Sequence, residues 1–277
     1  MTIIAGSGGT SRNPGKWFAG LVLFLSLLAT FAALVLLQAS AEGPAKDAHI
    51  RAVAALTEID TLIDRHYEDL QVRADASPPG TMLQLNEYPI EVPLTREEAL
   101  GISKPELRTL LLSRSADIMY DDGTSAMRAA EGADKVPRFT AAGVVDRSLD
   151  LLRRDVHDAM QIVVYVLAAI SLLLAVTLAS LTRGFGRLGS VGVALLTSSL
   201  VVLAAGGLLR LSADSGADDG DYVRTELLDI GAEMAMIPIR NGVAFALAGA
   251  AIVIVALLFA RIAPANETAI DRERRLA

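Results

Sequence analysis

The sequence predicts an all-α membrane protein: four transmembrane helices, with a mainly helical extracytoplasmic bundle domain inserted between the first and the second. Three observations predict it. Apolar residues make up 52% of the 277 and gather into four charge-free blocks. Basic residues concentrate on one side of those blocks. Between the first two blocks lies a stretch of ordinary domain length whose apolar residues recur at helical period.

The blocks are residues 17–41, 159–182, 188–209 and 241–260. About 20 apolar residues in a helix cross the roughly 30 Å hydrocarbon core, so each is long enough. A spanning segment must satisfy its backbone internally, which makes each a helix. None contains an internal proline. The mean hydropathy of the whole chain, +0.44, reflects these blocks.

The first block admits a second reading. Arg12 and Lys16 form a basic leader, and Ala39-Ser40-Ala41 fits the small-x-small pattern of a signal-peptidase site. Its apolar run exceeds the usual ~7–15 residues of a signal sequence, which favours an uncleaved anchor.

Orientation follows from the basic residues, which mark the cytoplasmic side. With the N-terminus inside, the inner segments carry Arg12, Lys16, Arg183, Arg187, Arg261, Arg272, Arg274 and Arg275 against Glu267, Asp271 and Glu273. Residues 42–158 carry 22 acidic and 14 basic groups, and residues 210–240 carry seven and three. Both termini are therefore expected in the cytoplasm, with 1–16, 183–187 and 261–277 as the inner segments. Residues 42–158 and 210–240 are expected outside the cell membrane. Arg153 and Arg154 run against the rule locally.

Within 42–158, Ile50, Val53, Leu56, Ile59, Ile63, Tyr67 and Leu70 step by three and four, giving one apolar stripe on one helix. Gly43-Pro44 is the expected kink between this helix and the first span. Ser77-Pro78-Pro79-Gly80 reads as a turn, and Pro89 and Pro93 flank the extended stretch 90–92. Thr95 with Glu98 and Ser103 with Glu106 are two capping boxes, each opening a helix. Asp121-Asp122-Gly123 reads as the stop of the second. Thr140 caps a last helix, with Val145, Leu149, Leu152 and Val156 on one side, running unbroken into the second span. In 210–240, residues 222–236 read as an interfacial helix. The third and fourth spans then form a hairpin with a short acidic cap.

Candidate chemistry is sparse. The chain has no cysteine, which removes disulfides, thiolate metal sites and cysteine nucleophiles. A net charge of −7 argues against a nucleic-acid partner. No phosphate-binding glycine loop or Gly-x-Ser-x-Gly elbow appears. His49, His66 and His157 are too scattered to form a ligand pair along one helix. Asp214, Asp218, Asp219 and Asp221 are the weak candidates for a metal, through oxygen ligands, yet their spacing is not that of an EF-hand. No span holds an ionisable residue, which disfavours ion-coupled transport. Gly242, Ala246 and Ala250 form a small-x-x-x-small ladder suited to close helix packing. No cofactor is expected.

These features point away from an enzyme. They favour a receptor-like or accessory interaction protein that uses its outer helical domain, with the lipid bilayer and a membrane-protein partner or further copies of itself as company. The alternative is a subunit of an oligomeric passive channel or transporter.

Overall fold

The structure is a computed structural model, and it describes residues 14–123, 149–182, 186–215 and 222–276. In chain order the described elements are α1 (Pro14–Ala39), α2 (Glu42–Thr57), α3 (Ile59–Ala76), β1 (Met82–Leu83), β2 (Leu94–Thr95), α4 (Arg96–Gly101) and α5 (Lys104–Asp122). There follow α6 (Arg154–Leu181), α7 (Gly186–Ser215), α8 (Tyr222–Met234) and α9 (Met236–Leu276). Four stretches are long and apolar enough to cross a membrane: Gly15–Ala39, Arg154–Leu181, Gly186–Ser215 and Thr225–Arg261. The chain is thus a multi-pass membrane protein. The Thr140-capped helix lies outside the described residues.

The chain divides into two compact units. The first gathers Met1–Ala32, Tyr165–Leu203 and Arg240–Ala277; the second gathers Ala33–Val164 and Ala204–Ile239.

In the second unit, α2 opens just after Ser40 and Ala41, and Gly43 and Pro44 sit in its first turn. Proline is harmless there, because the first-turn N–H groups have no partner inside the helix. The pair expected as a kink therefore starts a new helix. A second break follows at Glu58, which adopts φ 44°, ψ 45° and separates α2 from α3. The single apolar stripe expected from Ile50 to Leu70 is thus carried by two helices. A left-handed residue other than glycine costs about 1–2 kcal/mol. Burial of Ile59 and Ile63 immediately beyond the break offsets that. Leu56, on the expected stripe, is left 43% exposed.

Helix α2 packs against α5 and α8, and α3 packs against α4 and α5. Leu70, Leu94, Leu107, Leu111 and Met119 meet at the centre without solvent exposure. Each contributes about 1.5–3 kcal/mol relative to exposure. The proline-bearing stretch between α3 and α4 is part of this core. Tyr88, Ile90, Val92 and Leu94 alternate inward, as extended chain does, and Met82–Leu83 pairs antiparallel with Leu94–Thr95. Tyr88 and Ser115 share a buried hydroxyl–hydroxyl hydrogen bond of 2.8 Å. Burial pushes the Tyr88 phenol up to about 12.

Both capping boxes are present. The Glu98 N–H donates to Thr95 Oγ1 at 3.2 Å, and the Thr95 N–H donates to the Glu98 carboxylate at 2.9 Å. The Glu106 carboxylate accepts from the Ser103 N–H and hydroxyl at 2.9 and 2.7 Å. Helix α5 ends at Gly123, where φ is +74°. A Cβ there would stand 2.7 Å from Arg153 Cδ and 2.9 Å from an Asp150 carboxylate oxygen; those flexible side chains could shift, so it is the positive φ that calls for glycine.

That contact also explains the approach to α6. Leu149 and Leu152 are buried in the core, and the chain turns at 151–153 before α6 begins at Arg154. The expected unbroken run into the second span is interrupted, since both leucines are held by tertiary packing. Helix α8 matches the span read as an interfacial helix, and it lays Leu227, Ile230 and Met234 against the core of the second unit.

In the first unit, Leu23, Leu178 and Ala194 form a buried cluster. The Ser171 hydroxyl lies 2.8 Å from that of Ser26 and 3.1 Å from that of Thr30. Phe31 and Phe245 stack with ring centroids 4.4 Å apart.

Candidate functional site

Helices α4 and α5, joined by Ile102 and Ser103, line one groove on the second unit. The two capping boxes fix where each begins. Between them runs an open groove of about 700 Å³. Ile102, Pro105 and Leu110 supply its apolar floor, and Glu97, Glu98 and Glu106 stand along it. Thr109 and Ser113 line it further along α5, and both are exposed.

The charge on this groove is one-sided. Arg114 is engaged with the Glu98 carboxylate and with Pro93 O. Lys104 reaches Asp64 at 2.7 Å, and Arg108 reaches Asp60 at 2.8 Å. The Arg114 guanidinium, with the Thr95 N–H, holds the Glu98 carboxyl below the usual carboxylate range. Hydrogen bonds from the Ser103 hydroxyl and N–H do the same for Glu106. Glu97 is exposed. With Lys104 and Arg108 engaged elsewhere and Glu98 paired to Arg114, Glu97 and Glu106 are the carboxylates that the groove turns to solvent.

Arg51 is the second polar centre of this unit. Its guanidinium donates to Glu226 at 2.6 Å and to Glu233 at 2.9 Å, which ties α2 to α8. A third centre lies at Glu87, where Arg65 and His66 each approach one carboxylate oxygen at 3.2 Å.

The three histidines are apart and have different surroundings. His49 is fully buried, with Nε2 3.4 Å from Leu149 O and Nδ1 without a partner. Burial lowers its pKa. His66 faces Glu87, and the His157 Nδ1 lies 3.1 Å from Leu37 O. Among the described residues no three His, Asp or Glu side chains gather as a metal site. Asp214 is exposed near the end of α7, while Asp218, Asp219 and Asp221 lie outside the described residues. Asp121 and Asp122 are the last residues of α5, and Asp121 pairs with Arg154 at 3.1 Å.

In the first unit, Gly242 is buried, and a Cβ on it would stand 2.9–3.0 Å from Leu203. Ala246 and Ala250 are half-buried. The other tight position on α9 is Gly249, where a Cβ would stand 2.7 Å from the Leu196 backbone N. One step further, the Ala256 Cβ lies 3.6 Å from a Cβ built on Gly189. The seam therefore runs through residues 242, 249 and 256 against 203, 196 and 189. It steps by seven on each helix in opposite directions, the period of antiparallel knobs-into-holes packing. A search for steps of seven among small residues would have found it; a search for steps of four does not.

No family model, curated protein or solved structure matches the chain.

Proposed function

We propose that the chain is a non-enzymatic accessory interaction protein of a cell membrane. Its second unit acts as the outer helical domain, built mainly from the segment between the first and second spans and completed by α8, and docks a protein partner. Both termini lie in the cytoplasm, and residues 42–158 and 210–240 lie outside. The observation that carries this reading is the acid-edged groove between α4 and α5 over a filled core. A sensor of small ligands calls for a deep pocket with a few converging polar groups. An open groove with an apolar floor and a carboxylate edge suits a basic amphipathic segment of another protein.

The test is site-specific photo-crosslinking in the native membrane. A photoreactive residue at Thr109 or Ser113 is expected to give one discrete adduct, and Glu97→Lys with Glu106→Lys is expected to abolish it. The same group at Val72, 68% exposed, is the control. An identical adduct pattern from all three positions, or one indifferent to the charge reversal, refutes the reading. Sidedness is tested separately. Because the chain lacks cysteine, single cysteines at Glu68 and Glu267 are unique reporters. An impermeant thiol reagent added outside is expected to label position 68 and spare position 267.

A further inference from the structure

The first unit contains a cavity of its own, distinct from the groove above. It has a volume of about 700 Å³ and is lined by α1, α6, α7 and α9. That volume falls within the ~300–1,000 Å³ of sites that bury most of a small ligand. Gly20 and Phe24 of α1, Val193 of α7 and Leu257 of α9 are among its walls. The two hydroxyls on the lining are already committed. Ser190 donates to Arg187 O at 3.0 Å, and Thr197 donates to Val193 O at 2.8 Å. The walls therefore offer a ligand contact area and little hydrogen bonding. Lys16 and Trp17 also line the cavity, at the N-terminal end of α1. Both are exposed, and the Lys16 ammonium has no acidic partner among the described residues.

An apolar-walled space with a tryptophan and, among the described residues, an unpaired cation at one end has the polarity of one phospholipid. Tryptophan settles at the headgroup level of a bilayer, and lysine near a span end extends its ammonium toward the interface. Basic groups at pockets between spans select anionic headgroups. We propose that this cavity is a binding site for an anionic phospholipid, with an acyl chain against Gly20, Phe24 and Leu257 and the headgroup phosphate on Lys16.

Gly20 gives the proposal a clean perturbation. A Cβ added there meets nothing within 4 Å, so a larger side chain enters the cavity without displacing backbone. Trp17 supplies the readout, since it is the chain's single tryptophan. The full chain is reconstituted in vesicles holding phospholipids brominated on their acyl chains, with either a phosphatidylglycerol or a phosphatidylcholine headgroup, and Trp17 fluorescence is measured. Quenching is expected to show about fivefold preferential occupancy by the anionic lipid, the size of one lysine–headgroup attraction. Lys16→Gln is expected to bring the preference close to one. Gly20→Leu is expected to weaken quenching by the anionic lipid, whereas Gly207→Leu, equally unobstructed but away from the cavity, leaves it unchanged. Equal quenching by both lipids in the unaltered chain means ordinary boundary lipid and overturns the proposal. Quenching by neither means that protein covers the cavity, and this overturns it equally. A preference that survives Lys16→Gln removes the assigned headgroup contact and overturns it as stated.

Discussion

The buried His49 makes the stability of the second unit depend on pH in a definite direction. The ring is fully buried, and its Nε2 faces only the Leu149 carbonyl at 3.4 Å. Loss of hydration lowers its pKa, and this outweighs the opposing effects of Leu149 O and Asp150. In the unfolded chain the imidazole takes its proton near the ordinary value of 6.5. The folded form resists protonation, so the unfolded form binds more protons and gains population as pH falls. Each pH unit below the unfolded value therefore costs up to about 1.4 kcal/mol, until the buried ring itself is protonated. Between pH 7.5 and 5.5 the loss is therefore at most about 1.4 kcal/mol. His49→Phe removes the titrating group while keeping an aromatic ring in place. Hydrogen exchange of the α2 and α5 amides in the full chain, corrected for intrinsic rates, measures the opening free energy at both pH values. The difference between the two proteins is expected to account for that loss. Equal pH dependence in both would refute the reasoning.

Two further outcomes follow from tight contacts. Gly249→Ala drives a Cβ into the Leu196 backbone and is expected to cost about 1–3 kcal/mol, seen as a lower Tm in detergent, while Gly20→Ala is not expected to lower it. Glu98→Gln removes the carboxylate shared by Arg114 and the Thr95 N–H, and about 1 kcal/mol is expected to be lost at this partly exposed site. The lowered Glu98 pKa means that its contribution is complete above the ordinary carboxylate range and disappears as pH falls through the folded value. Chemical denaturation is therefore expected to separate the variant from the parent at pH 7, with the gap narrowing as the pH falls below the ordinary carboxylate range.

Local signals were the legible ones. The four spans are visible in composition, and the capping boxes at Thr95 and Ser103 in four-residue patterns, because the forces behind them act within one or two turns of chain. The break at Glu58 has no such mark, since neither glycine nor proline stands there. It exists because α2 and α3 each pack against α5. The turn at 151–153 is similar: Leu149 and Leu152 fit a helical stripe equally well with or without it. The placement of α8 could not be read locally, because its partner Arg51 lies 175 residues before Glu226. The groove was partly legible. Its carboxylates fall in the two boxes, but only folding engages Lys104 and Arg108 elsewhere and pairs Arg114 with Glu98 itself.

The tie between Arg51 and α8 has a consequence for how the protein is made. A ribosome adds about 5–20 residues each second, so Glu226 emerges on the order of ten seconds or more after Arg51. During that interval the α2 face that later receives Leu227, Ile230 and Met234 has no α8 to cover it. Two apolar stretches, Arg154–Leu181 and Gly186–Ser215, are synthesised before the missing helix arrives. The second unit is therefore a late product of biogenesis, completed only after most of the chain has been translated.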